Sequence, residues 1–268
     1  MQSWKFAARL HVDAVLTEGG GVALDSDQTH YLRSVLRLGE GTTVALFNGR
    51  DGEWLGRIAG YAKHSARVEL AAQTRLPTPE RPVWLLFAPV KRARIDFIAE
   101  KATELGATVL QPVFTERTIV ARVNQDRLAA NAREAAEQSE RLSLPEIRPP
   151  RSLFDAVAAL PPEIRLILCD ETGTAPPISQ VLSDEKGVFS SGCALLTGPE
   201  GGFTETELDR LRKLPFVTPV SLGPRVLRAD TAVLAALAVF QAIAGDWTVA
   251  GGDAAVAAPP PFPSPGRG

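Results

Sequence analysis

Cysteine is nearly absent from this sequence and histidine is scarce: 268 residues hold two of the first and three of the second. Cys169 and Cys193 lie far apart in apolar, strand-like surroundings, with no Cys-x-x-Cys and no histidine cluster. That usage argues against a disulfide framework and against a His/Cys metal centre, so no metal is expected. Two buried, inert thiols in a reducing compartment are expected instead. Also missing is any uncharged apolar run approaching the ~18 residues of a membrane span. The opening Met1-Gln2-Ser3-Trp4-Lys5-Phe6-Ala7-Ala8-Arg9 is basic but lacks the apolar segment of a secretory signal, so a cytoplasmic protein with no membrane partner is expected. Net charge is −2 and advertises no polyanion partner, yet its distribution is uneven. Basic groups gather in the first half and the last third is acidic, which leaves the first half free to meet a polyanion. With 45% hydrophobic and 22% charged residues, the chain has what a soluble globular core needs.

Up to residue 74 the chain reads as a small β-rich unit. Thr43–Phe47, Trp54–Ile58 and Ala66–Leu70 are short apolar strands, and Asn48-Gly49-Arg50-Asp51-Gly52 supplies residues that tolerate the positive φ of a tight turn. One helical stretch, Thr29 to Arg37, interrupts them. Leu32, Val35 and Leu36 share a face at i, i+3 and i+4, leaving Arg33 and Arg37 together on another. Leu76-Pro77-Thr78-Pro79-Glu80-Arg81-Pro82 is the linker. Beyond it, from 82 to 248, continuous apolar runs alternate with helical segments. Val83–Ala88, Val109–Val113, Arg165–Cys169 and Cys193–Thr197 read as strands buried on both faces, with helices at 91–105 and 126–142. Such alternation implies a mainly parallel α/β sheet. The tail 249–268, rich in Pro, Ala and Gly, has too little to bury and is expected to be disordered.

The chemistry points to two glycine loops. Strand Ala194–Thr197 runs into Gly198-Pro199-Glu200-Gly201-Gly202-Phe203, after which Thr204 and Glu207 stand at capping-box spacing before a helix. Glycines between the carboxyl end of a strand and a helix sit where open α/β sheets bind ligands, and they let backbone approach a ligand closely. No Gly-Lys-Ser/Thr follows and there is no Gly-x-Gly-x-x-Gly, so neither a P-loop nor a dinucleotide site is supported. A second strand, Thr218–Leu222, again ends in Gly-Pro, followed by Arg225-Val226-Leu227-Arg228. Asp230 then stands as the N-cap of a helix so apolar that it must be buried, within the chain or in a subunit interface. The pair makes a small-molecule pocket.

The segments Leu196–Phe203 and Leu222–Ala232 together resemble the signature of the 16S rRNA uridine-N3-methyltransferases, the RsmE-type members of the SPOUT superfamily. His30–Arg37, Lys101–Gly106, Thr115–Thr118 and Glu134–Arg141 match the same family in the same order. The resemblance implies a PUA-like β-barrel over 1–74 that binds RNA, then a SPOUT-type trefoil-knotted α/β domain over 82–248. It also implies a homodimer, 16S rRNA or the small ribosomal subunit as partner, and S-adenosylmethionine as cofactor. The cofactor would be held by Leu196, Thr197, Gly198, Glu200, Gly201, Gly202, Leu222, Gly223, Val226, Leu227, Arg228 and Thr231. Arg33, Arg37, Arg117, Gln138 and Arg141 would grip the rRNA. The family usually has Glu where this chain has Asp230.

Uridine N3 carries a proton in the neutral imide, so a catalyst must remove it or stabilise the anion that develops on N3, O2 and O4. Arg228 is the candidate for stabilising that anion, with Asp230 or Glu200 orienting groups around it. The sulfonium of the donor is already activated, so no metal is called for. Three rival readings stay open: a SPOUT ribose 2′-O-methyltransferase, a non-catalytic RNA-binding assembly protein, and a nucleotide-phosphate enzyme, which the missing P-loop lysine disfavours.

Overall fold

The computed structural model describes residues 5–248; the tail 249–268, expected to be disordered, lies outside them. The chain divides into two units, one of 5–79 with Glu137–Ser143, the other of Glu80–Ala136 with 144–248.

The first unit carries β1 (Arg9–His11), β2 (Gly21–Leu24), β3 (Thr43–Asn48), β4 (Gly52–Tyr61) and β5 (Ala66–Arg75) in one sheet of order β1-β3-β4-β5-β2. Only β1–β3 is parallel, and the β4–β5 ladder shifts register three times, which bends and twists it. Alternation in β5 buries Ala66, Val68 and Leu70 against Val22, Leu32 and Val44. The expected turn after β3 forms, but its positive φ falls on Gly52; Asn48 instead accepts from the backbone N–H groups of Arg50 and Asp51 through its side chain.

The helical stretch here departs from its expected form. An α-helix, α1 (Ser26–His30), starts earlier on an Asp25–Gln28 capping box and passes into a π-helical turn, Tyr31–Val35, in which Leu36 N–H bonds to Tyr31 C=O. The wider turn breaks the i, i+3, i+4 alignment. Leu32 is fully buried while Val35 is turned out to 58% exposure.

The second unit is an α/β layer structure. Its strands are β6 (Val83–Phe87), β7 (Val109–Phe114), β8 (Glu146–Ile147), β9 (Arg151–Ser152), β10 (Arg165–Cys169), β11 (Cys193–Thr197) and β12 (Val217–Val220). All pairings are parallel, in the order β12-β10-β11-β6-β7-β8, with β9 beside β7. The continuous apolar runs have the two-faced burial expected of them. In β11, Cys193 and Leu195 face one core while Ala194 and Leu196 face the other; in β6, Leu85 and Leu86 divide in the same way. The first core is covered by α2 (Arg92–Glu104), α5 (Ile178–Asp184) and α7 (Ala229–Ile243), the second by α4 (Leu153–Ala158) and α6 (Glu205–Arg212). The helix α3 begins as expected but stops early, spanning Gln125–Gln138, and Glu140 beyond it takes a positive φ of 60°.

Taken with its short 3-10 extension, the stretch Ala229–Thr248 is long and apolar enough to cross a membrane, with a hydropathy of 1.4. No such stretch was apparent from uncharged runs alone. One face of it packs into the core, with Val233, Ala236, Leu237 and Phe240 all fully buried beside Ile98, Leu182 and Phe189, while 39% of the stretch as a whole is buried.

Candidate functional site

In this strand order β12, β10 and β11 lie side by side, so the loops at their carboxyl ends meet. Together they enclose a cavity of about 650 Å³, within the range of small-molecule sites. Its walls are Asp170–Gly173 after β10, Thr197–Glu200 and Gly202 after β11, and Ser221–Leu227 after β12, closed by Ala229 and Ala232 of α7. The first and third loops are joined by hydrogen bonds from Ile178 N–H to Ser221 C=O and from Ser221 N–H to Pro176 C=O.

The β11 loop owes its shape to bonds from three directions. Thr204 caps α6 as its spacing predicts: its hydroxyl accepts from Glu207 N–H at 3.2 Å, and Glu207 accepts from Thr204 N–H at 2.8 Å. The other Glu207 oxygen accepts from Glu116 N–H at 2.9 Å, which satisfies a carboxylate only 2% exposed. Arg117 Nη1 donates to the carbonyls of Gly201 at 2.9 Å and Phe203 at 3.1 Å. From the β10 side, Glu171 accepts from Phe203 N–H at 2.8 Å. Gly202 has φ +67°, and a Cβ there would run into this Glu171 carboxylate, so glycine is required twice over.

Electrostatics at the cavity are acidic. Asp170 is buried and bonded to Thr172 and to Arg212, whose Nη2 lies 2.5 Å away. Burial pushes its carboxyl up, but the bonds from Thr172 and Arg212 outweigh that and hold it below the ordinary aspartate value. Cys169 and Cys193 are both buried and unpaired; burial pushes Cys169, in the cavity wall, up to about 12 and Cys193 well above its usual value. Both are inert thiols at neutral pH, as expected. Thr197 is 1% exposed, lines the cavity, and its hydroxyl has no hydrogen-bond partner among the described residues. An orphaned buried hydroxyl in a cavity wall awaits a ligand or a water. Among the described residues no cluster of His, Cys, Asp and Glu is placed to hold a metal.

The residues expected to bind a cofactor separate into groups. Thr197, Gly198, Glu200, Gly202, Leu222, Gly223, Val226 and Leu227 line the cavity. Leu196 instead packs into the second core, Gly201 lies against Arg117, and Arg228 and Thr231 belong to the start of α7 outside the lining. Arg228, not Asp230, occupies the N-cap of α7. Asp230 sits within the first turn, where its carboxylate bonds to Thr231 N–H at 2.9 Å and meets the positive end of the helix dipole. Asp230 is the first acidic residue before the apolar run and a good cap by type, but the helix starts earlier because Ala229 is already helical and buried.

Arg94, Glu171 and Asp170 were not anticipated. From α2, Arg94 places Nη1 3.9 Å from Glu200 and Nε 3.8 Å from Asp230. The acidic pair 170–171 carried a faint signal, standing at the end of an apolar strand as the two glycine loops do; Arg94 carried none.

Of the residues expected to grip RNA, Arg33 and Arg37 are exposed, Arg33 with its guanidinium 5.6 Å from the Tyr61 ring centre and Arg37 with φ +55°. Gln138 is exposed at the end of α3, and Arg141 donates to Ser143 while its carbonyl accepts from Arg9. Arg117 is bonded to the β11 loop as described.

Residues 77–241 match a family model described as an RNA methyltransferase domain, and residues 24–71 one described as an RNA methyltransferase PUA domain. The chain is 33% identical over 231 residues, 86% of its length and 93% of the relative's, to ribosomal RNA small subunit methyltransferase E of Rickettsia conorii. It is 36% identical over 228 residues, 83% of its length and 73% of the relative's, to the protein of that name from Synechocystis sp.. In three dimensions it is similar to the ribosomal RNA small subunit methyltransferase E of Neisseria gonorrhoeae bound to S-adenosyl methionine. There the TM-score is 0.80 at 30% identity, over 90% of this chain and 99% of that one.

Proposed function

The chain belongs to the RNA methyltransferase family that includes ribosomal RNA small subunit methyltransferase E, and from that premise we propose that it methylates N3 of a uridine in 16S rRNA with S-adenosylmethionine as donor. The observation that carries this reading is the cavity at the ends of β10, β11 and β12. It is walled by glycine-loop backbone, has carboxylates at its edge and an unsatisfied Thr197 hydroxyl in its wall. Backbone groups suit a neutral adenosine, and acidic walls suit a sulfonium and an ammonium. These residues fit the donor: Thr197, Gly198, Gly202, Leu222, Gly223 and Leu227 would hold it, with Leu196, Gly201, Val226, Arg228 and Thr231 shaping the loops. When bound, the donor supplies a methyl group on a positively charged sulfur, so the S–CH₃ bond can break with its electron pair returning to sulfur.

The chain's own task is the base. The N3 proton passes to a carboxylate, and we assign that acceptor to Glu200, which lines the cavity and is 40% exposed at its side chain. Asp230, anchored at the helix start, orients the neighbouring groups. Arg228, exposed and with no side-chain cap bond, is free to stabilise negative charge on the uracil oxygens. Arg33, Arg37, Gln138 and Arg141 grip rRNA, mostly through phosphates. The trefoil-knotted path, the homodimer and a cytoplasmic setting alongside the ribosome belong to the same proposal.

Mass spectrometry of nucleosides from the rRNA of a deletion strain, with and without the gene restored, is the direct test. One N3-methyluridine should vanish and return. Loss of a ribose-methylated nucleoside instead would move the protein to the 2′-O class, and an unchanged profile would refute the methyltransferase reading.

A further inference from the structure

Three charged side chains from three separate elements converge beside the cavity: Arg94 from the first turn of α2, Glu200 from the β11 loop and Asp230 from the first turn of α7. Arg94 is the cation shared by the two carboxylates, yet at 3.8 and 3.9 Å it makes a hydrogen bond to neither. Among the described residues its side chain is party to those two ion pairs alone, and it is 35% exposed. A guanidinium has five N–H donors in a planar fork, so this one has donors to spare for an acceptor arriving from solution.

We infer that Arg94 is a positioning residue of the methyl-transfer centre, holding Glu200 aimed at the N3 proton while its open donors take an oxygen of the target uracil. The inference rests on the function proposed above and names a residue that reading does not use. Its chemistry follows from charge. Two carboxylates drawn together repel each other, and a Glu200 that swings away cannot reach the N3 proton. A cation between them offsets that repulsion and holds both in place. As the proton leaves N3 for Glu200, negative charge spreads onto the uracil oxygens. Arg94, no longer needed to balance a charged Glu200, can then donate to one of them. Asp230 is held in place by the Thr231 N–H at the start of the helix, so it does not follow Arg94 toward the uracil.

The test uses the full-length protein, unmodified rRNA and S-adenosylmethionine. Arg94→Ala should lower kcat at saturating RNA by about 100-fold, as loss of one donor to a developing oxyanion does. The calorimetric Kd for S-adenosylmethionine should stay within about twofold of the wild-type value, since the donor is not what Arg94 holds. Arg94→Lys, which keeps the charge but not the fork, should recover most of the loss. In a Glu200→Gln background Arg94→Ala should cost less than about threefold more, because groups that act as a unit are not additive. Losses that multiply independently, or a rise in Kd that accounts for the whole defect, would overturn the inference. A wild-type protein that transfers no methyl group would overturn the function itself, and the role of Arg94 with it.

Discussion

Arg117 shows how one residue type can be read two ways. Its match to a family segment and its positive charge made it a candidate for gripping RNA, and arginines of that kind contact phosphate. Its guanidinium is bonded to the carbonyls of Gly201 and Phe203, so it shapes the loop that forms one wall of the cavity. Removing it leaves two carbonyls without a donor, a loss of about 1–1.5 kcal/mol or roughly tenfold in an affinity that depends on the loop. Arg117→Ala should therefore raise the calorimetric Kd for S-adenosylmethionine about tenfold while leaving the salt dependence of RNA binding as it was. A flatter salt slope with unchanged cofactor affinity would return Arg117 to the RNA-binding set. The sequence could not separate these outcomes, because Arg117 and Gly201 come together only when β7 and β11 enter one sheet. For the same reason Arg94 escaped notice: its meaning lies in where α2 begins relative to two distant loops.

At the scale of the element, what was legible depended on how local the determining contacts are. The capping box of α6 is spelled out within four residues, Thr204 to Glu207, and forms as read. Thr204→Ala should lower unfolding free energy by about 1 kcal/mol in urea titrations. It should leave cofactor affinity almost unchanged, because Glu116 and Arg117 still hold the loop. A fall in affinity as large as that of Arg117→Ala would mean the cap itself sets the loop geometry. The π-helical turn after α1 was illegible by contrast. No local pattern distinguishes a five-residue turn from an α-helical one, and the burial of Leu32 in the barrel-side core selects it. The start of α7 differs from its expected place because Asp230 is a good cap by type, while burial of Ala229 moves the cap two residues earlier, to Arg228.

For the whole molecule, alternation of strands and helices revealed a parallel sheet but not its order. Strand propensity says nothing about β11 entering between β6 and β10, and that insertion is what gathers the three loops into a site. The apolar character of α7 was legible, and its consequence extends beyond one chain. One side is buried against the sheet; Leu234, Val239 and Ile243 are only partly covered, and Val226 in the preceding loop is 91% exposed. Apolar surface left so close to a cavity favours burial in a second copy. Sedimentation equilibrium at micromolar concentration should therefore give twice the chain mass. Val226→Asp, which places a charge where burial is expected, should shift the equilibrium toward monomer by about 2–3 kcal/mol without altering far-ultraviolet circular dichroism. Because the loop that carries Val226 also lines the cavity, the monomeric variant should lose methyl transfer in parallel with its loss of dimer and recover it at higher protein concentration. A wild-type chain that sediments as a monomer while fully active would show that the exposed flank of α7 serves some other contact.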